Sequence, residues 1–111
     1  MERDKRTYPR VKVSWPVTML TIQGPIEGEV INISLGGAFV YCHEQPTANE
    51  SFRMVIKTLH AHEFIIADAR IARSNIYNRE DANTVPGVGV RFTSISDKDR
   101  RFISALVQDQ F

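Results

Sequence analysis

The chain has 111 residues, 42% of them apolar, with 14 Lys and Arg against 13 Asp and Glu for a formal net charge of +1. That length holds one core and leaves no room for a second. The apolar share excludes global disorder, and the near-neutral total excludes a body that binds polyanions or membrane surfaces over its whole face.

The charge is uneven. Within residues 1–12, Arg3, Lys5, Arg6, Arg10 and Lys12 oppose only Glu2 and Asp4. A basic arm on a neutral body predicts a local anion contact. Cys42 is the single cysteine. No intrachain disulfide can form, which suits a reducing cytoplasm. The N-terminus carries charges where a signal peptide needs an apolar stretch, and no apolar run reaches spanning length. A cytoplasmic chain without membrane insertion is expected.

Residues 1–10 read as a flexible arm, and 11–111 as the folded domain. Pro9 biases Tyr8 away from helix. Val11, Val13 and Trp15 alternate with Lys12 and Ser14, the period of a half-buried strand. Pro16 predicts an interruption or an edge there, with the strand resuming over 17–22. Gln23-Gly24-Pro25 signals a turn. A second strand spans 27–33, a third 38–42, and 44–50 is a loop. Residues 52–59 and 64–73 read as further strands, and 74–86, rich in Asn and charge, as the longest loop. The last strand is 87–92, where Gly87 and Gly89 mark a bulge or a close backbone approach.

The tail changes period. Ser96 and Asp99 resemble a capping box with Asp in place of Glu. Phe102, Ile103, Leu106, Val107 and Phe111 fall on one helical face. Asp97 and Asp99 in the first turn suit the helix dipole. About six strands and one C-terminal helix follow, and strand-turn-strand succession predicts a mainly β, antiparallel barrel or sandwich. The helix is expected over an open end or edge of the sheet.

Two motifs carry chemistry. Arg6-Thr7-Tyr8-Pro9-Arg10 places two arginines four apart. Asn32-Ile33-Ser34-Leu35-Gly36-Gly37 is a polar turn between two apolar runs. Arginine supplies a planar, permanently charged fork that grips phosphates bidentately. Asn and Ser at a strand end supply hydrogen bonds, and Gly allows close backbone approach. Together they describe a site for an anionic nucleotide. Each motif alone has a plainer reading, as a solvated basic arm or a tight turn.

Their order and spacing resemble the PilZ domain family, whose pattern is Arg-x-x-x-Arg and then Asp/Asn-x-Ser-x-x-Gly about twenty residues later. Arg6 and Arg10 match the first part; Asn32, Ser34 and Gly37 match the second. The run from Gly87 to Phe92 resembles the family's last barrel strand. The resemblance covers about residues 3–111. It implies an all-β fold, a six-stranded antiparallel β-barrel with a C-terminal α-helix. It also implies a non-enzymatic receptor for the bacterial second messenger cyclic di-GMP, acting on a protein partner in motility, adhesion or exopolysaccharide control. Implied ligand contacts are Arg6, Arg10, Asn32, Ser34 and Gly37, with Lys5, Gly36 and Arg73 as secondary candidates. Lys5 departs from the pattern, because many members carry a further arginine before the first motif arginine, and Lys does not stack on a purine face as Arg does.

A guanine edge offers O6 and N7 to an arginine fork. The same fork can grip a phosphate or lie flat on the base. Asn32 offers a carbonyl to guanine N–H groups. Arg70, Arg73 and Arg91 are read first as surface charges, with Arg73 placed at a strand end where it could face the site. Trp15 is read as core, and Tyr8 as a staple for the arm.

Other chemistries fare worse. His60 and His62 share a strand face with Glu63 adjacent, but nothing supplies a further ligand at motif spacing. Cys42 and His43 are chain neighbours, so on a strand they face opposite ways and cannot act as nucleophile and base; Cys42 is an apolar filler. No phosphate loop or nucleophile elbow occurs, so an enzyme is not expected. A barrel that binds single-stranded nucleic acid needs a broad basic surface, which this charge does not provide. The remaining alternative is a PilZ-like adaptor that contacts proteins without nucleotide. Either a monomer or a homodimer is compatible with the sequence.

Overall fold

The computed structural model describes residues 9–59, 63–73, 76–78 and 84–108. Seven strands and one helix follow in chain order: β1 Val11–Thr21, β2 Gly24–Ile33, β3 Gly37–Tyr41, β4 Ser51–Lys57, β5 Phe64–Arg73, β6 Ile76–Asn78, β7 Thr84–Ile95 and α1 Asp97–Gln108. The sheet order is β3-β2-β1-β4-β5-β7-β6, and an added β3–β7 pairing closes it. The result is a six-stranded antiparallel barrel of β1, β2, β3, β4, β5 and β7. Closure removes the open edges that an unpaired sheet would expose.

Pro16 and the segment 74–86 depart from the sequence reading. Pro16 does not interrupt β1, which runs through it with Pro16 opposite Glu29. The irregularity lies just before, between Lys12 and Trp15, where an extra residue absorbs the misfit as a bulge. The segment 74–86 is not all loop, because β6 pairs with the start of β7 from Ile76↔Pro86 to Asn78↔Thr84. This hairpin extends β7 beyond the barrel proper.

Period-two alternation fills the barrel. On β1, Trp15, Val17 and Met19 point inward; on β4, Phe52, Met54 and Ile56 do the same. They join Val30, Ile33, Val40, Ile65 and Val88 in one core. Helix α1 adds Ile103 and Val107 to that core, and Phe102 stacks on Trp15 at 6.2 Å between ring centroids. Phe111 lies outside the described residues. The Asp99 amide donates to Ser96 Oγ at 3.1 Å, the N-cap bond that the sequence predicts. The Asp99 carboxylate also accepts from the Ile66 amide at 3.2 Å. Ile66 lies just past the last β5–β7 pair, Ala67↔Ile95, so the helix start serves a strand amide there.

Candidate functional site

The site is built where β1 begins and β2 turns into β3. Arg10 stands one residue before β1, and Lys12 pairs with Asn32 across the β1–β2 ladder. A register shift between Val30 and Asn32 turns both Val30 and Ile33 inward although they lie three apart. An extra residue in a strand has this effect on side-chain facing. Asn32 is left half-buried near the surface. Arg10 Nη1 donates to Asn32 Oδ1 at 2.8 Å. Residues from the two motifs, 22 apart in the chain, therefore meet in one contact. The bond uses one of the two lone pairs on Oδ1, and the Asn32 amide group adds two donors.

Ser34 has a different place from Asn32. It is buried, its amide donates to the Gly37 carbonyl at 2.8 Å, and its Oγ accepts from the Gly36 amide at 3.1 Å. The hydroxyl also lies 3.4 Å from the Gly37 carbonyl. Ser34 thus builds the turn from within, as a side chain that takes up backbone groups locally. Gly37 is buried too. A Cβ there would sit 2.0 Å from the Val90 carbonyl oxygen, so the close approach that demands glycine is that of β7. Gly36 donates to Ser34 and accepts from the Phe92 amide at 2.9 Å.

Lys5, Arg6 and Tyr8 lie outside the described residues. Arg73 ends β5 opposite Gly89, and its side chain lies outside them as well. Arg70 is held away from the turn, its Nη2 donating to the Asn49 carbonyl at 3.0 Å.

On the β7 side of the turn lies a groove of about 240 Å³, between Leu35 and Gly36 of the turn, β7 from Arg91 to Ile95, and Arg100 of α1. On sequence alone Arg91 reads as a surface charge, and nothing there singles out Arg100. The available signal for Arg91 is its register opposite Gly37, which only the pairing supplies.

The rival chemistries can be placed in part. His60 and His62 lie outside the described residues; among the described residues no group of three His, Cys, Asp or Glu gathers as for a metal. Cys42 is buried, and burial pushes its thiol up from the ordinary value. His43 is exposed and pairs with the Tyr41 hydroxyl at 3.2 Å. No helix among the described residues is long and apolar enough to cross a membrane.

The fold is shared with known structures. The chain superposes on the Bacillus subtilis inhibitor of motility MotI/DgrA with a TM-score of 0.76 and 20% identity, over 97% of this chain and 51% of that one. It therefore spans about half the length of that protein. The PilZ domain of YcgR from Escherichia coli, solved with c-di-GMP, matches at a TM-score of 0.68 and 16% identity, over 96% of this chain and 91% of that one. The PilZ domain of CeSA from a cellulose-synthesizing bacterium matches at a TM-score of 0.55 and 23% identity, over 91% and 96%. Among curated protein sequences there is no match. The PilZ domain model matches residues 4–109, nearly the whole length of the barrel and helix described above, and the chain belongs to the PilZ domain family.

Proposed function

We propose that this PilZ domain is a non-enzymatic cyclic di-GMP receptor. The carrying observation is the 2.8 Å contact between Arg10 and Asn32, which joins the arginine motif to the polar turn at one surface. A permanently charged fork and an amide side by side are suited to a phosphate and a guanine edge. Arg6, Arg10 and Asn32 are the proposed contacts. Ser34 and Gly37 are proposed to act by holding the turn, through the bonds to Gly36 and the fit against Val90. Lys5, Gly36 and Arg73 complete the proposed set. The solved complex of the YcgR PilZ domain with c-di-GMP supports the ligand class.

The proposed signal is local. Nucleotide ties the arm, residues 1–10, across the barrel and alters a surface read by a protein partner. The proposed setting is the cytoplasm, as monomer or homodimer. Isothermal titration of cyclic di-GMP into wild type and Arg10→Ala, with GTP as control, tests the reading. We expect micromolar or tighter binding by wild type, and a loss of at least about 10-fold in Arg10→Ala, the size of one charge-assisted contact. Hydrogen exchange over residues 1–12 should slow on binding. Absence of binding to wild type would overturn the receptor reading in favour of an adaptor that contacts proteins alone.

A further inference from the structure

The groove beside the turn has chemistry of its own. Two guanidinium groups, Arg91 and Arg100, share it, and none of its lining residues is a carboxylate. Three arginines elsewhere have partners, Arg10 with Asn32, Arg53 with Asp68 and Arg70 with the Asn49 carbonyl, and Arg101 has none among the described residues. Among the described residues Arg91 and Arg100 have no side-chain hydrogen bond or ion pair. Two like charges facing one concavity repel, and Arg100 also stands in the first turn of α1, where the helix dipole disfavours a cation. An anion in the groove relieves both costs.

The other walls narrow the class of anion. Thr93 and Ser94 add hydroxyls to the groove, and Leu35, Phe92 and Ile95 add a half-buried apolar wall that packs on the core. Forks with hydroxyls suit a phosphate. The volume of about 240 Å³ is below that of a drug-sized pocket of about 300–1,000 Å³, a scale that admits a base with its phosphate. The groove is also joined to the motif turn, through the Phe92 amide on the Gly36 carbonyl and the pairing of Arg91 with Gly37.

We infer that this groove is a second nucleotide subsite, in which Arg91 and Arg100 hold the phosphate of a guanylate unit. The choice of a guanylate rests on the receptor reading above; the anion site rests on the groove alone. The guanylate is either the second half of a cyclic di-GMP held at Arg10 and Asn32, or a separate nucleotide.

Amide NMR of the ¹⁵N-labelled protein during titration with 5′-GMP, and separately with inorganic phosphate, tests it. For 5′-GMP we expect saturable shifts at Gly36, Phe92, Ser94 and Arg100, with a dissociation constant of about 1 mM or tighter. They should persist in Arg10→Ala and vanish in Arg91→Gln/Arg100→Gln, whose Trp15 fluorescence should report an unchanged fold. If the groove takes the second half of the same ligand, cyclic di-GMP affinity falls about 10-fold in the double variant; if it takes a separate nucleotide, that affinity is unchanged. Absence of groove shifts, or equal shifts and affinity with phosphate alone, overturns the subsite even where cyclic di-GMP still binds. Groove shifts with 5′-GMP in a protein that does not bind cyclic di-GMP would sink the receptor reading and leave the subsite standing.

Discussion

Residues that look alike in the motif have different physical work. Arg10 and Asn32 meet in an exposed contact, where the Asn32 side chain offers a ligand its amide donors and the second lone pair of Oδ1. Ser34 and Gly37 are buried and define the turn that holds Asn32 in place. Gly37 illustrates the difference. Its Cβ position lies 2.0 Å from the Val90 carbonyl oxygen, and backbone on the facing strand cannot swing aside as a side chain can. Gly37→Ala should therefore destabilise the barrel by about 3 kcal/mol, the upper part of the usual overpacking range, in urea unfolding followed by Trp15 fluorescence. A loss below about 0.5 kcal/mol, the level of a neutral surface change, would show that β3 and β7 separate freely at that point.

At the scale of elements, α1 completes the core instead of decorating it. Ser96 caps its start by accepting from the Asp99 amide, and the Asp99 carboxylate accepts from the Ile66 amide of β5. Ile103 is fully buried, and Phe102 stacks on Trp15 of β1. Removal of a buried aliphatic side chain loses transfer free energy and leaves a cavity. Ile103→Ala should cost about 2–4 kcal/mol in the same unfolding assay. Phe102→Ala should shift the Trp15 emission to the red, because one face of the indole then meets water. If both variants unfold at the wild-type urea midpoint, the helix is not part of the cooperative unit.

For the whole molecule, closure of β3 on β7 means that the interior opens only when the barrel does. Cys42 reports this directly, because its thiol is buried and burial raises its pKa. Thiolate is the reactive species. Iodoacetamide at pH 8 should modify native Cys42 at least about 1,000-fold more slowly than the urea-unfolded chain, given a usual opening cost of 5 kcal/mol or more. The linkage has a definite sign. The folded state favours the neutral thiol, so this contribution to stability is complete below the unfolded thiol pKa of about 8.5 and is lost as pH rises through the folded value. Alkylation at similar rates in both states would show that the barrel breathes at Cys42.

The mainly β character, the C-terminal helix with its cap, the inward role of Trp15 and the family motifs were legible because each depends on short-range rules: alternation, helical period, capping chemistry and fixed motif spacing. The strand 64–73 coincides with β5 for that reason. Pro16 and the segment 74–86 misled because local signals there are outweighed by pairing. Pro16 is held in β1 by the ladder on its neighbours, and β6 exists only because the start of β7 lies beside it. Only the tertiary structure decided that Gly37 is needed by Val90, that Ser34 faces inward, and that Arg91 and Arg100 share a groove with the turn. Each of these rests on contacts between residues far apart in the chain. Such contacts follow from barrel closure and register, which no local pattern of residues encodes.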